Sequence, residues 1–402
     1  MKILMINKFL YPRGGSESYM LKLGSEYEKQ GHTVEYFGML DEKNTVSNSA
    51  GMYTTNMDFH STGLARFLYP FKIIYSREAK KKLGKVLDAF QPDIVHMNNI
   101  NFQLTPSIIY AVKKRGIPLV QTVHDYQMIC PNHLLYNFEE NKPCTRCING
   151  SKLNCVKHSC IHSSKVKSIL GVVEAWLYKA IKTYKKVDLY ICPSRFLENK
   201  LKTASGIYNG KTFTIHNFID KAENIEKNEV EPYIVFVGRL SKEKGVELLA
   251  ECAKRLPEYK FVVAGTGPDD GVLQNIENVE LLGFVSGKAL NELMGNAKVL
   301  LAPSICFENC PLSILEANSM GVPVITMNSG GMAELVADGV TGTLVPEADA
   351  GCLAGKIKST LEDSEYYAKL KENSEKTSGD ILTARKYSEI LLSEYEKLIN
   401  RR

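Results

Sequence analysis

The chain has 402 residues, 44% of them apolar and 24% charged, with a formal net charge of +5. That composition excludes a disordered chain, and the lack of any uncharged run of about 18 apolar residues argues against a membrane-spanning helix. The length exceeds what one ordinary core fills, so two domains are expected, and the mild positive charge suits acidic ligands or an anionic membrane surface without requiring either.

Residues 3–6 form a first buried strand. The apolar stretch there is too short for a secretory signal, so the ten cysteines are expected to be reduced thiols in the cytoplasm. Tyr11-Pro12-Arg13-Gly14-Gly15-Ser16-Glu17 follows, then an amphipathic helix over 18–29 that ends at Gly31. Strand, glycine turn and helix let backbone N–H groups approach a phosphate. The turn is neither the dinucleotide fingerprint nor a Walker loop, and a double glycine is also simply what a tight turn uses. A second strand covers 32–37 and a later one 93–96, entered through Gln91-Pro92. His96 stands at the carboxyl end of that strand, where open α/β sheets place ligands; a satisfied structural histidine reads equally well there. Residues 67–82 mix aromatic and aliphatic side chains with Lys80-Lys81-Lys82, which fits a helix with a solvated face or a segment lying on an anionic bilayer.

Residues 118–125 read as a strand ending at His124-Asp125. An imidazole at the sheet's carboxyl edge is neutral near pH 7 yet can donate to a sugar hydroxyl, which suits positioning or acid–base work. Cys144, Cys147, Cys155 and Cys160 come next, in a polar stretch with little apolar content of its own. Four thiolates can close a tetrahedral, structural zinc site, although the spacing between the second pair is loose; separate thiols or a redox pair are the alternatives. Over 163–186 an amphipathic helix is expected: Val166, Ile169, Leu170, Val173, Trp176, Leu177 and Ile181 recur at helical spacing, with lysines on other faces, and the chain's single tryptophan is expected in the core. A strand over 188–192 and another over 212–217 close a first domain, residues 1–217, with a cysteine-rich insertion over 130–162. Residues 218–231 read as the linker.

A second domain, 232–380, opens with a strand over 233–237 and the turn Gly238-Arg239-Leu240-Ser241-Lys242-Glu243-Lys244-Gly245. Arg239 and Lys244 bring a guanidinium fork and an ammonium onto one loop, enough to neutralise a diphosphate leaving group without a metal. Gly265 ends the strand that follows, and Gly283-Phe284 ends a short one over 279–284. A buried run over 299–303 then leads into Glu308-Asn309-Cys310-Pro311-Leu312-Ser313. Pro311 presets a helix start, with Glu308 just before its N-terminus and Glu316 about one turn in. Two carboxylates then flank an anion site at free backbone N–H groups, a layout suited to a nucleotide sugar. A strand over 339–346, a helical stretch over 350–376 and a last helix over 381–398 complete the chain.

The block from Glu308 to Pro323, with Gly330-Gly331-Met332-Ala333-Glu334-Leu335 beyond it, resembles the retaining glycosyltransferase family 4. The resemblance covers nearly the whole chain. It implies an α/β GT-B fold, two Rossmann-like parallel-sheet domains facing across a cleft, with residues 381–402 returning to the first. It also implies transfer of a sugar, without a catalytic metal, from a UDP- or GDP-linked donor to a sugar or lipid-linked glycan in bacterial surface polysaccharide synthesis. Arg239 and Lys244 match the family's diphosphate-binding pair and Gly15 its phosphate-facing loop. By the same resemblance Glu308 holds donor-sugar hydroxyls, Glu316 the ribose, and His124 the reacting sugar, while Asn309, Cys310, Leu312, Ser313, Gly265, Gly283 and Phe284 line the donor. The protein is expected to be cytoplasmic and peripheral at the inner leaflet. A sugar-nucleotide epimerase on the same fold and a non-catalytic nucleotide-sugar-binding module are the alternative readings.

Overall fold

Short runs of β-branched and large aliphatic residues punctuated by glycine and asparagine become parallel strands, and the amphipathic stretches between them become the crossover helices. The structure is a computed structural model, which describes residues 1–56, 72–220 and 231–401. The chain divides into two units, one of Met1–Leu134, Thr145–His216 and Ala384–Arg402, the other of Leu135–Cys144 and Asn217–Thr383.

The first unit carries a six-stranded sheet with β1 (Lys2–Ile6), β2 (Thr33–Phe37), β3 (Ile94–Met97), β4 (Leu119–Thr122), β5 (Leu189–Cys192) and β6 (Thr212–Thr214). The spatial order is β2-β1-β3-β4-β5-β6, parallel throughout. The order reverses between β1 and β3, so the crevice beyond their carboxyl ends is the place for a ligand. Helix α1 (Gly15–Lys29) enters from that edge with Gly14 at its N-cap, and α2 (Arg77–Phe90) is capped by the Ser76 hydroxyl. Of the segment over 67–82 that reads as a helix or a bilayer contact, residues 67–71 lie outside the described part.

Helix α3 (Lys165–Ala180) departs from expectation. It buries Ser168, Gly171, Val172, Glu174 and Tyr178, whereas Trp176, expected in the core, is exposed, as are Val166, Ile169, Val173 and Ile181 of the same apolar set, with Leu170 and Leu177 half-buried. The inward polar groups are satisfied: Gln127 Nε2 donates to Glu174 at 3.0 Å, and the Tyr178 hydroxyl donates to the Ile74 carbonyl at 2.5 Å. Helical spacing identifies a face but not which way it turns, and here polar partners inside hold the other face inward.

The second unit repeats the architecture with β7 (Tyr233–Val237), β8 (Lys260–Ala264), β9 (Val279–Gly283), β10 (Val299–Ala302), β11 (Val324–Met327) and β12 (Gly342–Val345). They lie in the order β9-β8-β7-β10-β11-β12, again parallel. β7, β8, β10 and β11 are buried along nearly their whole length, as a sheet covered on both faces requires. The reversal falls between β7 and β10. The beginning of the expected linker is structured: Phe218 and Ile219 are buried, Ile219 packs with Cys310 and Leu315, and residues 221–230 lie outside the described part. The cysteine-rich stretch is not one insertion in the first unit, because Leu135–Cys144 groups with the second. There a two-stranded ribbon pairs Tyr136 with Pro143, and Asn141 Nδ2 reaches the Glu247 carboxylate at 3.4 Å.

The last helix, α4 (Ala384–Ile399), belongs to the first unit and packs on α1. A buried chain of hydroxyls and one imidazole joins them. Tyr27 donates to Tyr395 at 2.9 Å, the Tyr395 hydroxyl is 2.6 Å from His96 Nδ1, and His96 Nε2 is 2.7 Å from Thr122 Oγ1. Tyr19 joins Thr122 at 3.1 Å and Tyr387 at 2.9 Å. With both ring nitrogens engaged and no exposed surface, His96 is a structural residue, which settles its two readings. Burial, with His124 nearby, pushes its pKa down to about 3.

A histidine held neutral when folded must be protonated on acid unfolding, so its contribution is present above its unfolded pKa near 6.5 and is lost as pH falls toward 3. Between pH 7 and 5 the native protein should therefore lose about 2 kcal/mol more unfolding free energy than a His96→Gln variant. Denaturant titrations at the two pH values check this; equal losses would show that His96 does not set the acid sensitivity.

Candidate active site

The site in the second unit forms where β7 and β10 end. From β7 the chain turns through Gly238 and Arg239 into a tight turn over Lys242–Lys244, and from β10 it runs through Pro303 to Glu308. Two backbone contacts lock these loops together. The Glu243 carbonyl accepts from the amides of Ile305 at 3.0 Å and Cys306 at 3.2 Å. Gly245, at φ +78°, passes so close to the Pro303 carbonyl that a Cβ there would sit 2.1 Å from its oxygen, a conformation and an approach that only glycine tolerates. On the other side, Gly330 at φ +62° presses against the Glu308 backbone, and the Gly331 amide donates to the Glu308 carbonyl at 2.7 Å.

This clamp brings Lys244 Nζ onto Glu308 Oε1 in an ion pair. The Ser304 hydroxyl also donates to Oε1, at 3.1 Å, and the Cys306 thiol at 3.7 Å. Burial alone would raise the Glu308 pKa, but the Lys244 charge and these hydrogen bonds outweigh it and hold the carboxyl below its ordinary range. Burial likewise works to deprotonate Lys244, and Glu308 outweighs it and keeps the ammonium. The pair's stabilisation is thus present above the ordinary carboxyl value of 4.5 and below the ordinary lysine value of 10.5. The sequence suggested separate partners for the two, a diphosphate and a sugar; in this structure each is the other's partner. Arg239 stands exposed at the end of β7, with no side-chain hydrogen bond or ion pair among the described residues.

The expected helix after Glu308 is α5 (Leu312–Ser319), with Pro311 at its N-cap and no side chain capping its first N–H groups. Glu316 is half-buried on its second turn, and Leu312 and Ser313 are half-buried on the first. The Cys310 side chain faces inward: it is buried with Ile219 and Leu315, its sulfur accepts from the Asn217 amide at 3.4 Å, and burial raises its pKa to about 12. Only its main chain is left for a donor, a correction to the expectation that it lines the site. Gly265 at the end of β8 donates from its amide to the Gly283 carbonyl at 2.7 Å. Next to it Phe284 is 79% exposed, a flat apolar ring held out at the same strand-end level.

In the first unit the corresponding edge gathers Gly15, His124 and a set of asparagines that the sequence reading passed over. Asn7, just past β1, donates to the buried Glu17 carboxylate at 3.0 Å, and its Oδ1 accepts from the Asn99 amide at 2.9 Å; Asn99 in turn donates to Ser16 Oγ at 2.9 Å. His124 Nε2 lies 2.9 Å from Asn98 Oδ1, an acceptor, so Nε2 carries the proton. Its ring packs edge-on against Tyr19 with centroids 5.0 Å apart. Burial pushes its pKa down to about 4, against the opposing pull of Asp125 and Glu17, so it is neutral at physiological pH. The missed signal was Asn at the ends of both strands that flank the sheet's reversal point.

The four-cysteine zinc site is not assembled. Among the described residues no three His, Cys, Asp or Glu side chains converge as metal ligands. Cys147 and Cys155 are buried in an apolar cluster with Val172, and a hydrogen bond with Cys160, together with burial, keeps Cys155 a thiol. Cys144 falls in the other unit. None of the ten cysteines is in a disulfide.

Comparison with known proteins fits this geometry. The family model described as Glycosyltransferase Family 4 matches residues 13–223, and that described as Glycosyl transferases group 1 matches residues 217–377. The chain belongs to glycosyltransferase family 4. Like the family, it is a retaining glycosyltransferase that uses a nucleotide sugar and needs no catalytic metal. It is 25% identical, over 83% of this chain and 87% of the relative, to an uncharacterized 42.6 kDa protein in the cps region of Klebsiella pneumoniae. It is 28% identical to the O-antigen biosynthesis glycosyltransferase WbnH of Escherichia coli, over 58% of this chain and 67% of the relative. The fold is the GT-B fold. The crystal structure of Anabaena HepE in complex with UDP-glucose superposes with a TM-score of 0.68 at 18% identity, covering 98% of this chain and 100% of that one.

Removing the ammonium leaves an ionised carboxylate half-sheltered from water. Lys244→Met should cost about 2 kcal/mol, and pairing it with Glu308→Gln should cost less than the sum of the two single changes because both remove one interaction. Urea titration of the three variants checks this; strict additivity would mean that the two groups do not depend on each other.

Proposed function

We propose that this family 4 enzyme moves a sugar from a UDP- or GDP-linked donor to a sugar or lipid-linked glycan acceptor in bacterial surface polysaccharide synthesis. It would work in the cytoplasm, peripheral to the inner leaflet. The observation that carries the reading is the Glu308–Lys244 pair at the reversal point of the second sheet, with Arg239 exposed on the same loop as Lys244. Relatives in a cps region and in O-antigen biosynthesis support the pathway class, and the UDP-glucose complex of HepE supports the donor class.

In this reading Arg239 and Lys244 stabilise the departing diphosphate, helped by the uncapped N–H groups of α5 and by the backbone at Gly15. Preorganised charge of this kind is usually the largest single catalytic contribution. Lys244 reaches that position already oriented, because Glu308 holds it. Lys244, Ser304 and Cys306 all meet Oε1 of Glu308, which leaves Oε2 to accept from hydroxyls of the donor sugar. Glu316 binds the ribose hydroxyls, as a carboxylate does in dinucleotide folds. The neutral His124, with Nε2–H directed by Asn98, positions the transferred sugar. The acceptor oxygen attacks the anomeric carbon on the face that the diphosphate leaves, and the leaving phosphate takes the acceptor's proton.

Arg239→Ala should lower turnover about a hundredfold or more, since one preorganised donor to a developing charge is worth that much. Glu316→Ala should mainly weaken nucleotide binding. A thermal-shift screen against UDP- and GDP-sugars, followed by transfer assays with the donor that stabilises most, tests both. Near-native turnover in the arginine variant, or unchanged nucleotide affinity in the glutamate variant, would remove the corresponding role.

A further inference from the structure

Helix α3 wears its amphipathic pattern reversed. Val166 is 69% exposed, Ile169 47%, Val173 39% and Trp176 45%. At 100° per residue these four fall within one narrow sector, and Leu170 and Leu177, half-buried, continue it on one side. The groups turned inward include a serine and a glutamate. A surface helix of a globular protein ordinarily does the opposite, and a contiguous exposed apolar face marks an interaction surface.

Charge identifies the partner. Lys165, Lys167, Lys179, Lys182, Lys185 and Lys186 are all exposed, and the single acid between residues 163 and 187 is Glu174, buried on the inward side. At the helix's C-terminal end, Lys186 and Lys80 both lie over the Tyr110 ring, at 5.5 and 5.4 Å from its centroid. An apolar stripe with a tryptophan, bordered by lysines and free of exposed carboxylates, is the pattern of a helix lying in the headgroup region of an anionic bilayer. A second copy of the chain fits poorly, since pairing this face with itself would set rows of lysines against each other. Among the described residues no helix is long and apolar enough to cross a membrane, and α3, at 16 residues and about 24 Å, has the length to lie flat.

We propose that the outward face of α3 docks the enzyme on anionic phospholipid, with Trp176 inserted among the acyl chains and the lysines at the phosphates. This deepens the proposed peripheral contact with the inner leaflet and rests on it.

Trp176 is the chain's only tryptophan, so the native protein reports on its own contact. With vesicles of phosphatidylcholine containing roughly 30% phosphatidylglycerol, its emission should shift to the blue and be quenched by brominated lipid, and the protein should cosediment; pure phosphatidylcholine should do much less. Binding should fall as salt rises and should drop about tenfold or more in the double variant Ile169→Glu, Val173→Glu. Donor-induced thermal shift and transfer to a water-soluble acceptor should be unchanged in that variant, which separates failure of docking from failure of the transfer reading. Three results would overturn the proposal: no spectral response to anionic vesicles, equal vesicle binding by the double variant, or an oligomer in solution that the double variant dissolves. A tryptophan already blue-shifted and shielded without lipid would also overturn it, because the face would then be covered by the protein itself.

Discussion

A carboxylate stays ionised in a half-sheltered loop because an ammonium 64 residues earlier in the chain is held against it. That pairing joins the loops that follow β7 and β10. Burial works to raise the Glu308 pKa and to lower that of Lys244, and each charge opposes that effect on the other. Their meeting is arranged by backbone contacts, not by the side chains themselves. The Glu243 carbonyl receives two amides of the β10 loop, and Gly245 and Gly330 permit approaches that any Cβ would block. What results is a cation whose direction is set before any ligand arrives and a carboxylate oxygen left over beside it.

The first unit solves a different problem by a similar means. Its histidine at the end of β3 is enclosed by the returning helix α4, and the hydroxyls of Tyr395, Tyr27, Tyr19 and Thr122 link helix, imidazole and sheet through hydrogen bonds. A buried polar chain of this kind is stable only when its members are satisfied. His96 therefore acts as a joint between chain segments 299 residues apart. His124, at the end of the next strand, is held by other groups: Nε2 meets Asn98 and the ring rests on Tyr19. Two histidines at neighbouring strand ends thus have different partners: His96 meets Tyr395 of α4 and Thr122, and His124 meets Asn98 and Tyr19.

Helix α3 ties the fold to the surface. Its inward face is polar because Gln127 and the Ile74 carbonyl offer partners to Glu174 and Tyr178, and burial, which pushes the Glu174 carboxyl up to about 8, favours its neutral form and so lowers the cost of enclosing it. Once those groups turn inward, the apolar stripe has nowhere to go but out. The same constraint that orders the interior creates the exposed face.

Local pattern was enough to reveal the alternation of buried strand and amphipathic helix, the helix start at Pro311 and the cations at Arg239 and Lys244, because propensity, periodicity and capping are properties of neighbouring residues. The family resemblance rests on the same local block around Glu308. Tertiary structure alone decided the rest. Lys244 meets Glu308, Cys310 turns inward to Asn217, and Cys147 and Cys155 pack with Val172, because each depends on which distant part of the chain lies alongside. The asparagines at the ends of β1 and β3 carry no periodic signal, and their use emerges only when two strands separated in sequence become neighbours. The direction in which the stripe of α3 points was hidden for the same reason: spacing defines a face, but only the partners available on each side determine which face the protein keeps.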